Sequence, residues 1–186
     1  MTGRNARPLQ ARARIADLAA RLLAEHGIGD YALAKRKAAR QLGLPRGHGL
    51  PSNEEVDAAL IRQQSLFDPA QRDELLAALR GQARDVMRVF ARFEPALTGA
   101  VVSGAVSEHS LVELELAAEL SKDFEHFLIN AGIEYKVRDR GAQMAYLIYA
   151  EPADVLVRMC AREARHPHGG QRLTLAQLDR LLDAAA

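Results

Sequence analysis

In the first half of the chain, apolar residues recur every three to four positions, which is the period of an amphipathic helix. Asp30 and Ser52 stand where helix N-caps are expected, and Glu55 completes a capping box with Ser52. Asp68 followed by Pro69 is typical of a further helix start. The pattern predicts four helices, over residues 10–26 with an end at Gly27, from Tyr31 to Gly43, from Ser52 to Phe67, and from Pro69 to the stop at Pro95.

Beyond Pro95 the period shortens to two, which is typical of strands that bury one face. The predicted strands are Leu97–Val102, Val112–Leu116, Ile133–Arg138, Gln143–Ala150 and Val155–Cys160. A helix capped by Ser121 and ending at Gly132 is predicted among them, and Thr174 caps a last helix after a loop at 166–170. We therefore expect an α+β fold: a basic helical region (1–68), then a domain (69–186) built on a small mixed β-sheet with flanking helices.

The composition narrows the class of protein. The 186 residues are 48% hydrophobic, which is enough for a packed core. A single cysteine, Cys160, excludes an internal disulfide and a multi-thiolate metal site, and it is compatible with a cytoplasmic location. No apolar stretch approaches the roughly 20 residues that span a bilayer, so we expect no membrane partner.

Charge is spread unevenly along the chain. Residues 1–48 hold ten lysines and arginines against three acids, a net charge of +7. Because the whole chain carries +1, residues 49–186 carry −6. Such asymmetry is typical either of a nucleic-acid surface at the basic end or of two parts that attract each other. The sequence leaves both interpretations open, together with the oligomeric state.

One stretch, LTGAVVSGAVSEHSLVELEL at residues 97–116, holds most of the candidate chemistry. Glu113 and Glu115 lie two positions apart on a predicted strand, so their side chains share one face. Two carboxylates in that arrangement can bind Mg²⁺, while the glycine and serine loop before them can hold phosphates.

A plainer interpretation of the same stretch is structural. The two glutamates would lie on a solvated strand face and pair with Lys136 or Arg138 across an antiparallel ladder. Ser103 and Gly104 would then form an ordinary turn between strands, since glycine is favoured wherever a connection needs positive φ.

The stretch resembles the signature of the nucleotidyltransferase superfamily, the fold of the DNA polymerase β palm. In that signature a glycine-serine turn precedes a strand that reads Ser-Asp-hydrophobic-Asp. The resemblance covers residues 85–160, which follow the family's order of helix, strand, strand, helix and further strands. It rests on Gly99, Gly104, Ser110 and the acidic strand, whereas Ala100 stands in place of the serine of the Gly-Ser pair.

The acidic positions depart from the family. With Ser110 on the family's serine, Leu111 replaces the first aspartate and Glu113 the second. An alternative register with a longer loop puts Glu113 and Glu115 on both acid positions. A third carboxylate is expected on a later strand, and the two positions considered for it are Asp154 and Leu156.

The resemblance implies a degenerate family member that binds a nucleotide or RNA without catalysis. The alternative that it implies is an active, Mg²⁺-dependent enzyme that transfers a nucleotidyl group from a nucleoside triphosphate to RNA or a small molecule. The implied site residues are Glu113 and Glu115 as catalytic metal ligands, Gly99, Ser103 and Gly104 around the phosphates, and Arg84 and Arg88 near the leaving group.

The fourth predicted helix carries a row of arginines. Four of them recur every four residues: Arg80, Arg84, Arg88 and Arg92. Like charges at this spacing repel, so the row predicts a partner, which is either acids of the same chain or the phosphates of a nucleotide or RNA.

A second basic segment, AKRKAARQLGLPRG at residues 34–47, resembles the scanning part of helix-turn-helix regulators. A DNA-binding regulator that acts through the basic N-terminal helices is therefore a further alternative, with DNA as a weaker candidate partner than RNA. In the simpler interpretation this segment docks on the third helix and exposes Lys35, Arg36 and Lys37.

Overall fold

The structure, a computed structural model, describes residues 6–26, 30–44, 49–67, 69–140, 143–161 and 171–184. The chain divides into two compact units. The helical unit comprises residues 1–73 and 104–110, and the sheet unit comprises residues 74–103 and 111–186. The segment 104–110 thus joins the helical unit although it lies in the middle of the predicted second domain.

Three helices build most of the helical unit: α1 (Ala6–His26), α2 (Tyr31–Gln41) and α3 (Asn53–Phe67). They pack around small and branched apolar side chains that include Ile15, Ala19, Ala38, Val56 and Leu60. Ala105, from the segment 104–110, belongs to the same core.

The predicted caps of this unit are confirmed where the structure describes them. Asp30 accepts the backbone N–H of Leu33 at 3.1 Å. Ser52 and Glu55 form the capping box, in which each side chain accepts a backbone N–H of the other residue. Gly43 has φ +67°, as expected for a helix-ending glycine. The predicted signals at Gly27, at Asp68 and in the 166–170 loop lie outside the described residues.

The expectation that Lys35 is exposed on α2 is wrong. Its ammonium donates to Oδ1 of Asn53 at 2.8 Å, and the side chain is half-buried against the start of α3. Burial lowers the pKa of Lys35. Lys35 therefore packs between α2 and α3, whereas Arg36 is exposed to solvent.

The sheet unit starts within α4 (Pro69–Val89), which a 3₁₀ turn at Ala91–Phe93 extends. Its further elements are β1 (Ala96–Thr98), α5 (Ala100–Ser103), β2 (Val112–Ala117), α6 (Ser121–Asn130), β3 (Tyr135–Arg140), β4 (Gln143–Ile148), β5 (Val155–Cys160) and α7 (Leu175–Asp183). Within the described residues, no helix is both long and apolar enough to cross a bilayer.

The five strands form one mixed sheet in the order β1-β2-β5-β4-β3. Neighbouring strands are antiparallel except β2 and β5, which run parallel with Val112 opposite Val155. The predicted α+β class, with N-terminal helices and a small mixed sheet, is confirmed.

One face of the sheet is apolar and packs against aromatic rings. Leu114 on β2 and Tyr146 on β4 are fully buried on this face. The ring of Phe124 on α6 meets Tyr146 edge to face, with 5.5 Å between centroids, and it meets Phe90 and Phe93 at 5.1 and 5.2 Å. The alternation of β2 then directs Glu113 and Glu115 to the opposite face.

Several predicted element boundaries differ from the structure, and two of them do so for clear local reasons. The strand predicted over Leu97–Val102 ends at Thr98, because Gly99 turns the backbone with φ +74° and its carbonyl accepts the N–H groups of Val102 and Ser103. Ser121 does not cap α6: a 3₁₀ turn precedes the helix, and the Ser121 hydroxyl contacts the sulfur of Met144 instead.

Candidate functional site

The end of β1 and the middle of β2 bring Gly99 and Glu113 together. Thr98 lies opposite Glu113 in the antiparallel ladder, and Gly99 follows directly after it. A Cβ atom on Gly99 would lie 2.9 Å from the carboxyl carbon of Glu113 and 3.1 and 3.2 Å from its two oxygens. The glutamate carboxylate thus occupies the space that a side chain at position 99 would need.

Arg158 holds this carboxylate from the neighbouring strand. Leu156 is the residue opposite Glu113 on β5, and Arg158 lies two positions further along the same face. Nη1 of Arg158 donates a hydrogen bond to Oε2 of Glu113. Because only 20% of the glutamate side chain and 33% of the arginine side chain are exposed, the pair is partly withdrawn from water.

Glu115 has an arginine neighbour of its own. Residue 173 forms a bridge with Leu97 on the outer edge of β1, with backbone N–O distances of 2.8 and 3.0 Å. This bridge brings Arg172 to the same side of the sheet, where its Nε lies 3.5 Å from Oε2 of Glu115. The Glu115 side chain is only 11% exposed.

The predicted pairing of Glu113 and Glu115 with Lys136 or Arg138 is therefore wrong. Lys136 and Arg138 lie on β3, where they pair with Leu147 and Ala145 of β4. Strands β4 and β5 separate β3 from β2, so neither basic residue lies opposite the glutamates. The glutamates pair with Arg158 and Arg172 instead, and they are largely buried rather than solvated.

These residues fit an arginine-neutralised acidic pair better than a magnesium site. Mg²⁺ prefers several oxygen ligands, and in the family that the sequence resembles a third carboxylate completes the set. Here Leu156 stands beside Glu113, and Arg158 occupies its carboxylate. Among the described residues, no group of three or more His, Cys, Asp or Glu side chains is placed to hold a metal ion.

The predicted phosphate-binding loop is divided between the two units. In the sheet unit, the Ser103 hydroxyl donates to the carbonyl of Ala100 at 3.4 Å. Gly104, in the helical unit, is buried and has φ +83°. Ser110, also in the helical unit, accepts the Ser107 N–H at 2.8 Å and closes a turn. Of the predicted site residues, Gly99 thus contacts Glu113, and its carbonyl accepts the backbone N–H of Ser103.

The predicted arginine row lies on α4 and on the 3₁₀ turn that follows it, and it has partners within the sheet unit. Arg88 lies 3.1 Å from Asp179 of α7, and Arg84 lies 3.5 Å from Asp85. Nε of Arg80 donates to the carbonyl of Val101 at 3.3 Å. The guanidinium of Arg92 lies over the ring of Phe93, 4.9 Å from its centroid. Acids, carbonyls and a ring of the same chain thus contact every arginine of the row.

Sequence reasoning missed Arg158 and Arg172 as members of the site. Arg158 did carry a signal, because it is the one charged residue in the apolar strand VLVRMC. A charge in a strand that is otherwise buried needs a partner, and Glu113 supplies it. Arg172 carried no comparable signal, since it depends on a bridge between residues far apart in sequence.

A separate hollow lies in the sheet unit, beside the end of α6 and the start of β3. It has a volume of about 450 Å³ and is lined mainly by apolar and aromatic side chains, among them Ile129, Tyr135 and Tyr149. None of the predicted site residues lines it.

Comparison of the chain with protein-family models, with curated proteins and with solved structures finds no significant match. The candidate site is therefore interpreted from its own geometry.

Proposed function

We propose that the sheet unit is a nucleotidyltransferase-like domain that binds a nucleotide or RNA without transferring a nucleotidyl group. The observation that carries the proposal is the Glu113 carboxylate, which lies against Gly99 and is bound by Arg158. The resemblance makes this the metal-binding edge of the family's site. In this chain an arginine supplies the positive charge there.

Arg158 is the residue proposed to contact phosphate. A guanidinium has several N–H donors in a fixed fork, and the hydrogen bond to Glu113 uses one of them. The remaining donors and the one-third exposure of the side chain leave room for an anionic ligand. A single buried cysteine, Cys160, supports a cytoplasmic location as part of the proposal.

Thermal unfolding in the presence of nucleotides tests the proposal. The full chain is heated with each nucleoside triphosphate or with a short single-stranded RNA, in Mg²⁺ and in EDTA. A ligand at about 100 times its Kd stabilises the folded state by about 2.7 kcal/mol. We expect an increase in Tm that is equal in Mg²⁺ and in EDTA. Absence of any increase with every ligand would overturn the proposal.

Two substitutions separate this function from its active alternative. Arg158→Gln removes the proposed phosphate donor and should abolish the Tm increase. Arg138 is an exposed arginine on the same sheet face, and Arg138→Gln should leave the Tm increase intact. Glu113→Gln removes a competing negative charge and should preserve or strengthen binding. In an active transferase, stabilisation would instead require Mg²⁺ and would be lost in Glu113→Gln.

A further inference from the structure

Several acids of the helical unit have basic or hydroxyl partners among the described residues. Arg12 holds Glu55 through two nitrogens, with N–O distances of 2.6 to 2.9 Å. Further acidic contacts among the described residues of this unit are Arg62 with Asp17, Arg21 with Glu25, Arg72 with Asp73, and the Tyr31 hydroxyl with Asp57. None of these contacts involves Arg36, Lys37 or Arg40, the cations on the outer side of α2.

Three cations lie together on that outer side, and we call them the α2 basic face: Arg36, Lys37 and Arg40. At about 100° per residue they fall within an arc of about 100°, on the side of the helix away from the buried alanines; Arg36 and Arg40 are exposed, and Lys37 is half-buried. Helix α2 contains no acid, and among the described residues none of the three cations makes an ion pair.

We propose that the α2 basic face binds the sugar-phosphate backbone of a nucleic-acid duplex. Arg36 and Arg40 lie four residues apart and repel each other in the free protein, a cost that a polyanion relieves. Arginine forks match phosphate oxygens, and lysine adds a mobile charge. This inference concerns the helical unit and does not rest on the proposed nucleotide site of the sheet unit.

A membrane surface fits α2 less well than a nucleic acid. Helices that lie in a bilayer surface bury a broad apolar side among the lipids. The apolar side of α2 consists of Ala34, Ala38 and Ala39, and all three are already buried in the core of the helical unit. Leu33 alone adds an exposed large apolar side chain on this helix.

Fluorescence anisotropy with labelled RNA and DNA duplexes of about 20 base pairs tests the proposal across a range of salt concentrations. The test variant is Arg36→Gln/Lys37→Gln/Arg40→Gln, in which glutamine preserves helix propensity. The matched control is Lys122→Gln/Lys136→Gln/Arg138→Gln, which removes the same charge from exposed positions of the sheet unit. Circular dichroism verifies that both variants keep the helical content of the parent chain.

We expect the parent chain to bind duplexes with an affinity that falls steeply with salt. The α2 variant should bind at least about tenfold more weakly at 0.1 M salt, and its logarithmic salt dependence should be shallower by about 2 to 3. The control and Arg158→Gln should stay within about twofold of the parent chain. Loss of binding in Arg158→Gln with no effect of the α2 variant would place the duplex on the sheet unit and overturn this inference, while leaving the proposed function intact.

The remaining outcomes are equally decisive. Dependence on the three cations with either duplex supports the proposal, and the ratio of the RNA and DNA affinities tells which nucleic acid is preferred. Equal weakening by the α2 variant and the control would show a general effect of net charge and overturn it. Binding to vesicles of anionic phospholipid that exceeds duplex binding, with the same dependence on the α2 basic face, would also overturn it.

Discussion

The carboxylate of Glu113 fills the space in which a side chain on residue 99 would lie, with the carboxyl carbon 2.9 Å from an ideal Cβ position. Gly99 is thus required twice, once for its positive φ of +74° and once for the room that it leaves to the glutamate. The pair ties the end of β1 to the middle of β2 and presents the carboxylate to Arg158.

Gly99→Ala is therefore expected to destabilise the sheet unit through both strain and steric overlap. Left-handed φ costs a non-glycine residue about 1–2 kcal/mol, and displacement of the Glu113 carboxylate adds to this cost. Gly132→Ala is the matched control, because Gly132 has a similar φ of +64° but nothing within 4 Å of its Cβ position. Urea denaturation should show the larger loss for Gly99→Ala. Equal losses would mean that the Glu113 contact contributes nothing.

The Glu113–Arg158 pair should be worth more than a surface ion pair. Both side chains are largely buried, and a hydrogen bond between charged groups contributes about 1.5–3 kcal/mol. A double-mutant cycle with Glu113→Gln and Arg158→Met should report a coupling in that range. The same cycle on Asp17 and Arg62, whose side chains are about half exposed or more, should give about 0.2–1 kcal/mol. A coupling no larger than this control value would contradict the role given to Arg158.

The sequence predicted best what depends on neighbouring residues. The caps at Asp30 and Thr174 are confirmed, as is the capping box of Ser52 and Glu55. These interactions span three residues, so a single sequence contains both partners side by side. The order of strands and helices could be predicted from the sequence for the same reason. Each element has its own hydrophobic period and its own end signals in neighbouring residues.

What the sequence could not predict depends on contacts between distant residues. Val101 and Val102 favour a strand by composition, yet the Gly99 carbonyl accepts a hydrogen bond from Val102 and starts a helical turn. The partner of Glu113 depends on the parallel pairing of β2 with β5, which joins residues 45 positions apart. Alternation along β2 correctly gave the shared face of the two glutamates, but it could not supply the arginines that neutralise them.

Phe124 should be among the most sensitive core positions of the sheet unit. It is fully buried, and its ring contacts Phe90, Phe93 and Tyr146 edge to face. Phe124→Ala leaves a cavity and should cost about 3–5 kcal/mol in denaturant unfolding. Ile129→Ala on the same helix is the control, since Ile129 is exposed and its truncation should stay within about 0.5 kcal/mol. Similar effects at both positions would show that the aromatic cluster is not the core of this unit.

Stability of the helical unit should depend on pH through Glu55. The hydrogen bonds from Arg12, with a further one from the Ser52 backbone N–H, lower the pKa of Glu55 from 4.5 to about 2. A carboxyl group with a lowered folded-state pKa stabilises the fold above its unfolded-state pKa, and this contribution is lost as the pH falls toward the folded value. The relevant window therefore runs from about pH 4.5 down to about pH 2.

Comparison of Glu55→Gln with the parent chain isolates this contribution. The parent chain should have the higher Tm at pH 6, by no more than a few degrees because the Arg12–Glu55 pair is partly exposed. The difference in Tm should shrink through the window and vanish only below about pH 2, where Glu55 is protonated in both states. Glu108 is an exposed carboxylate of the same unit without an ion pair among the described residues, and Glu108→Gln is the control that should change the Tm little at pH 6. A difference for Glu55→Gln that persists unchanged at pH 2 would show that the glutamate acts through packing or capping geometry rather than through its charge.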